Sequence, residues 1–434
     1  MILLLFSLWT DEITLGANHV SFLPPASSNA VGEDNGNVLI TFTTGHTNPY
    51  LEIYFAIIDG SGSVLRMVNV SRAGTQSSQW AGYPNAISFD TTYYFIWDDR
   101  RISYHEIEFQ NEIYYRVFYP DVAGGTWLGI QNATSSDGEW SINPSAAKLG
   151  DRIYVAWEDT RDGYDAVYYS YLENGLWSND FKVSGSIYYA GYPCVVTGNS
   201  EVFIFYEEVQ DSFTQVRAYS PIRNQYYTIS LDGEAYSPSG FASDDEICVV
   251  WEQVENGVPR IYSRVFNSTW GEAVKLTTSG YGEMPCVTGK DGIFYYAWVE
   301  DGNVVFKSDT SDLRVMNQSS YNCFNPHVYA LDNGILFLCW SGYITGDMDA
   351  KIFYRVFSSS KSLSESASFV VRGSRLYLPV RKSRDYELYT IDGRRVSTFS
   401  GPSFAFNGLP PGIYLLRTRD SGKRKIYRVV YLGE

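Results

Sequence analysis

One unit recurs along this chain and confines it to a repeat architecture: a proline, an apolar strand closed by an aromatic residue, then an Ile/Val-Tyr-Tyr strand. The prolines are Pro25, Pro84, Pro144, Pro193, Pro238, Pro285 and Pro326, and the closing aromatics are Phe42, Trp97, Trp157, Tyr206, Trp251, Trp298 and Trp340. The intervals between them are 17, 13, 13, 13, 13, 13 and 14 residues, by subtraction of position numbers. A third strand follows each aromatic, as in Glu112-Ile-Tyr-Tyr115 and Arg260-Ile-Tyr-Ser263. A fourth, led by Trp127, Trp177 or Trp270, follows in several copies. Four short antiparallel strands per repeat make a β-propeller blade, and closing the blades into a ring largely removes the open edges that a linear stack would keep. The expected fold is all-β: a seven-bladed β-propeller over residues 11–358, with six or eight blades as the rival counts.

Ring closure makes a specific demand on this sequence. The seventh copy runs from Phe357 into the Ser-rich segment 359–367 without a fourth strand, whereas Glu12-Ile-Thr-Leu15 precedes the first proline. The N-terminal strand is therefore expected to complete the last blade. Composition agrees with sheet: aromatic residues make up 16% of the chain, and no long amphipathic pattern interrupts the turn-punctuated strands.

Charge is divided unevenly. Residues 1–367 hold 20 Lys+Arg against 44 Asp+Glu, whereas residues 368–434 hold 13 against 5. The acidic body repels phosphate backbones, so nucleic acid is not an expected partner. The five cysteines have no metal-ligand spacing and read as small core residues, and the four histidines are scattered. Residues 1–10 are apolar enough for a truncated signal segment but lack a basic start and an Ala-x-Ala site. No later apolar run reaches the roughly 18 residues of a spanning helix.

The text Trp157-Glu-Asp-Thr-Arg-Asp-Gly163, with Trp97-Asp-Asp-Arg100, resembles repeats of exported bacterial propellers of the sialidase-like kind. This resemblance implies a fold more than an activity. In the C-terminal stretch 368–434, Tyr389-Thr-Ile-Asp-Gly-Arg-Arg-Val396, Leu409-Pro-Pro-Gly-Ile-Tyr414 and Lys423-Arg-Lys-Ile-Tyr-Arg-Val-Val430 resemble the C-terminal sorting domain of type IX secretion. A similar immunoglobulin-like module occurs in flagellar hook-capping proteins. The sorting resemblance implies a small immunoglobulin-like β-sandwich handled by outer-membrane secretion machinery, and hence an extracellular or cell-surface propeller.

Antiparallel order puts the connection entering strand one and the connection leaving strand two on one face. The first carries aromatics near the proline: Trp80, Trp140, Tyr189, Tyr236 and Tyr281, with Tyr321. The second carries acids past the closing aromatic, Asp98, Glu158, Glu207, Glu252 and Glu300, with Arg100 and Arg161 in the turns. As a site, these residues would stack on sugar rings or cationic groups and accept hydrogen bonds. As structure, the aromatics would wedge blades and the acids would pair with Arg100, Arg101 or Arg161. The expectation is a monomeric, non-catalytic binding or adhesion module for a glycan or a protein, with an exported glycosidase of the sialidase-like class as the alternative. That activity would need an arginine cluster, a Tyr-Glu pair and an acid, whose residue types are present without matching spacing. No cofactor is expected. The oxygen-rich Asp159-Thr-Arg-Asp-Gly-Tyr-Asp165 departs from calcium-loop spacing and reads as a turn.

Overall fold

The computed structural model describes residues 9–15, 31–32, 37–44, 51–72, 81–89, 92–100, 111–120, 125–134, 139–198, 200–243, 245–277, 280–331, 334–346 and 350–358. In the C-terminal part it describes 369–371, 375–377, 385–390, 395–400, 403–405, 412–420 and 423–431. The first-copy proline Pro25, residues 1–8 of the expected signal segment 1–10, and the Ser-rich linker lie outside the described residues. Every element among the described residues is a strand.

Seven antiparallel sheets follow one another along the chain as blades. Blade 3 is representative: Ser141–Leu149, Arg152–Asp159 and Ala166–Glu173 pair in sequence order, and Leu176–Trp177 and Phe181–Lys182 share the outer position. Blade 7 consists of Ser320–Ala330, Ile335–Ile344 and Lys351–Ser358. Its outer strand is Ile13–Thr14, in register Ile13↔Tyr354 and Thr14↔Phe353. The ring therefore closes by the expected exchange between chain ends.

Period-two alternation on strand two decides what lies between blades. The closing aromatics Trp97, Trp157, Trp251, Trp298, Trp340 and Tyr206 are at most 1% exposed. Each clustered example packs on the preceding blade. Trp157 meets Ile87, Ile96 and Tyr115, and Trp251 meets Phe203 and Phe205. The next residue along the strand must then face the following blade, which places the acids Asp98, Glu158, Glu207 and Glu252 at the opposite interface.

Strand one carries a bulge at the repeat proline in blades 2 to 7, for example between Gly82 and Asn85 and between Gly191 and Cys194. The residue before each proline is left-handed: Tyr83, Asn143, Tyr192, Ser237, Met284 and Asn325 have φ between 47° and 53°. Proline disfavours helical backbone in the preceding residue, and a non-glycine left-handed residue costs about 1–3 kcal/mol. Such residues need a compensating partner, and for Asn143, Tyr192, Ser237, Met284 and Asn325 the preceding blade supplies one to the backbone N–H.

The C-terminal unit contains a five-stranded sheet in the order Phe369–Val371, Lys423–Tyr431, Gly412–Asp420, Asp385–Thr390, Arg395–Ser400. A two-stranded sheet pairs Arg375–Tyr377 with Ser403–Ala405.

The closing strand is fastened by the residue just before it. The Glu12 carboxylate accepts hydrogen bonds from Gln318 N, from Ser319 N at 3.2 Å, from Ser319 Oγ at 2.8 Å and from Ser320 N at 3.0 Å. Replacing Glu12 by Ala is expected to lower unfolding free energy by about 2 kcal/mol, because it strips several amides of a charged acceptor. Urea titration of the full chain checks this, and an unchanged midpoint would show that the clasp does not hold the ring.

Candidate functional site

The four acids that follow a closing aromatic share one role. Ser237 N donates to Glu207 Oε1 at 2.7 Å, and Met284 N donates to Glu252 Oε1 at 2.7 Å. Tyr192 N lies 3.3 Å from Glu158 Oε2, and Asn143 donates its amide to the Asp98 carboxylate. Each donor is the left-handed residue of the next blade. Leaving a buried amide without an acceptor costs about 1–3 kcal/mol, comparable with the strain of the bulge, so each acid offsets a penalty of that size. In blade 7 the equivalent Asn325 N instead lies 3.3 Å from Met284 Sδ. There Val299 follows the aromatic, so the acid is missing from that interface.

Glu300 does not belong to this set, contrary to the sequence expectation. It stands two residues past Trp298 and takes the indole N–H at 2.9 Å, as Asp159 does for Trp157 at 2.7 Å and Asp99 for Trp97 at 3.0 Å. The two positions point to opposite sides of the strand, so one residue of offset exchanges an inter-blade role for a role within the blade. Arg161 serves that second position. It donates to Asp159 Oδ1 at 2.8 Å and Asp180 Oδ2 at 2.9 Å while its guanidinium covers Tyr168 at 4.5 Å. Its donors are committed to the turn. Arg100 binds Asn111 Oδ1 at 2.6 Å and stacks 5.1 Å from the Trp140 ring, and Arg101 lies outside the described residues.

The aromatics entering strand one sit where the shared-face argument places them. Thr160 N donates to Trp140 O, Val209 N to Tyr189 O and Asp301 N to Tyr281 O, each at 3.0 or 3.1 Å, tying the two connections together. In blade 5 the equivalent carbonyl belongs to Glu234, and the Tyr236 hydroxyl donates to its carboxylate at 3.0 Å. Trp140, Tyr281 and Tyr321 are exposed at 38%, 45% and 42%. Trp80 lies outside the described residues.

Sequence reasoning missed the residues directly before the prolines. Tyr192 is 50% exposed and Tyr83 half-buried, and their hydroxyls lie close enough to Glu158 to feel its charge. The available signal was the invariant place of these residues one step ahead of the repeat proline. Gly191, next to Tyr192, is needed for close approach: a Cβ there would stand 2.4 Å from Glu158 Oε2 and 2.7 Å from the Tyr189 hydroxyl.

Burial pushes the Asp98, Glu158 and Glu207 carboxyls up to about 7, and Glu252 moves in the same direction. Nearby carboxylates add to the rise, Glu252 and Glu158 acting on Glu207. The Tyr189 hydroxyl hydrogen-bonds Glu207 and opposes it. An unfolded Glu207 ionises near 4.5, so the folded chain holds an extra proton between that value and about 7. Its stabilising contribution is complete below the lower value and is lost as pH rises through the upper one. At about 1.4 kcal/mol per pH unit the loss is roughly 3 kcal/mol. Glu207→Gln keeps an acceptor for Ser237 and should match wild type near pH 5 yet gain stability at pH 8, roughly by this amount. Chemical denaturation at both values checks it, and parallel pH profiles would show that the carboxyl ionises normally.

No protein-family model matches this sequence, and no curated protein does either. Solved structures resemble it in fold. Polysaccharide lyase Uly1 superposes with a TM-score of 0.51 at 9% identity, covering 80% of this chain and 99% of that one. The Trypanosoma rangeli sialidase gives 0.42 at 10% identity, with 86% of each chain covered. The α-L-arabinofuranosidase of Fusarium graminearum, solved with arabinobiose, gives 0.45 at 13%, covering 81% and 99%. At these identities the likeness is one of fold, and the chain is an all-β protein whose main body is a seven-bladed propeller.

Proposed function

We propose that the propeller is an exported, non-catalytic binding module that takes a glycan across the face where strand one begins, and that residues 368–434 direct its secretion. The observation carrying this reading is a division of labour on that face. Trp140, Tyr192, Tyr281 and Tyr321 expose between 38% and 50% of their surface. Beneath them Asp98, Glu158 and Glu207 are at most 6% exposed and are engaged by amides of adjacent blades. A general acid has to come within hydrogen-bond reach of the bond it protonates, whereas exposed rings at a wide rim stack on sugar faces without chemistry. The tail reading rests on the sorting-like strings, and the export reading rests on the tail.

One observation favours the glycosidase alternative: carboxyls that titrate near neutrality beside the Tyr189 hydroxyl have the acidity an acid catalyst needs. The two readings separate in one experiment. A glycan-array screen of the full chain beside Trp140→Ala and Tyr192→Ala should find ligands whose binding weakens about tenfold or more in either variant, since a stacked ring contributes about 1–3 kcal/mol. Incubated hits should release no new reducing ends. Binding indifferent to both substitutions would sink the aromatic face, and release of shorter sugars would establish the enzyme.

A further inference from the structure

The apolar side chains on the strand-one face are not spread evenly, and blade 4 carries most of them. Ile187, Tyr188, Tyr192 and Phe213 each expose between 50% and 70% of their surface. Among the described residues, blades 3, 6 and 7 show one large exposed ring each on that face, Trp140, Tyr281 and Tyr321, and none passes 45%. A purely structural role would recur from blade to blade, whereas an apolar patch confined to one blade marks a place where a partner sits.

Strand register brings two of these side chains into one row. Val209 N donates to Tyr189 O at 3.0 Å, and Val209 pairs with Thr214, so the upper ends of strands one, two and three stand side by side. One residue nearer the face come Tyr188, Gln210 and Phe213. With neighbouring strands about 4.8 Å apart, Tyr188 and Phe213 are about 10 Å from each other at the backbone. The Tyr236 hydroxyl of blade 5 meets the Thr214 side chain, which carries the row across the next interface. The row is held from below. Gly185 N and Ser186 N donate to Glu208 Oε1 at 2.6 and 2.8 Å, and Tyr188 N donates to Ser186 Oγ at 3.1 Å. Glu208 is buried, so the loop presenting Ile187 and Tyr188 is built in advance of any contact, and binding there meets little ordering cost.

The charges around the row narrow what it accepts. The three loops that frame it, 185–192, 210–214 and 231–236, contain no lysine or arginine. Asp211, Asp232 and Glu234 are exposed there. An acidic sugar would meet these carboxylates with no base to receive it, on a body that holds 44 acidic against 20 basic residues in 1–367. A neutral sugar brings an apolar ring face to the aromatics and hydroxyl groups that the carboxylates accept. Resting on the glycan reading above, we infer that blade 4 is the principal subsite of the propeller and takes consecutive neutral sugar units along the row from Tyr188 to Phe213, turning acidic glycans away.

The test titrates the full chain calorimetrically with cellohexaose, xylohexaose and mannohexaose, and with the hexamers of galacturonic acid and glucosamine. At least one neutral hexamer should bind, and the galacturonate hexamer should not. Tyr188→Ala and Phe213→Ala should each weaken that binding about tenfold or more, as loss of a stacked ring does. Tyr281→Ala, on blade 6, should cost less than either, and Tyr188→Trp should keep the affinity because it keeps a ring face. Tyr188 and Phe213 are exposed, so the variants should unfold at the wild-type urea midpoint and a loss of binding reports the contact itself. Neutral binding that survives both alanine variants overturns the blade 4 subsite, and its fall in Trp140→Ala would leave the glycan face standing. Tighter binding of the galacturonate or glucosamine hexamer than of any neutral one overturns the neutral assignment. Absence of binding to every hexamer overturns this inference, and a blank glycan array overturns the reading beneath it as well.

Discussion

Each blade offers its first strand as a sheet edge to the first strands of its neighbours, and such an edge carries amides that its own sheet cannot satisfy. The ring solves this by cross-blade hydrogen bonds, acceptors for its amides and side-chain donors for its carbonyls. Val195 N finds Ser145 Oγ at 2.9 Å, Thr197 Oγ1 finds Lys148 O at 2.6 Å, and Asn85 Nδ2 reaches Pro144 O at 2.7 Å. The amides of the left-handed residues find Asp98, Glu158, Glu207 and Glu252. Without these acceptors the bulged edge would combine strain with unsatisfied polar groups, and the blades would lose the contact that orients one against the next.

Packing and polarity are therefore separated by a single step along strand two. The closing aromatic fills the interface behind, and burying a large ring contributes on the order of 2–3 kcal/mol. The acid after it fills the interface ahead, where its benefit depends on protonation, because a buried carboxylate costs solvation unless its hydrogen bonds repay it. The aromatics hold the blades together at any pH. The acids set how firmly successive first strands are joined.

The sequence carried the repeat, the blade count and the closure of blade 7 by Glu12-Ile-Thr-Leu15, since all three rest on spacing and on a missing strand. It also placed Trp140, Tyr189 and Tyr281 on the face shared with the acids, through strand direction alone. It did not separate Glu252 from Glu300, because both follow a tryptophan within two residues and only the phase of the strand assigns them to different interfaces. Nor did it mark Tyr83, Asn143 and Tyr192. The ordinary rule makes a residue before proline extended, and at Asn143 and Tyr192 the left-handed state is met by an acceptor that a neighbouring blade supplies. That acceptor is a tertiary feature some thirty or more residues away in the chain, as with Ser237 and Glu207, 30 apart.

The acids are not distributed evenly around the ring. They occupy the interfaces from blade 2 to blade 6, whereas Val299, Ser341 and Thr43 stand at the corresponding places of blades 6, 7 and 1. That arc is centred on blade 4, opposite the blade closed by the chain ends. A noncovalent seam is where local opening starts, since it is held by a two-residue strand and the Glu12 hydrogen bonds. Ionisable joints at the seam would make closure itself depend on pH. Placed across from it, the same carboxyls can change charge when a ligand or a proton arrives while the clasp stays shut. The break in repeat symmetry thus locates the part of the ring that is free to respond, and it is the part where Tyr83 and Tyr192 lie beside Asp98 and Glu158.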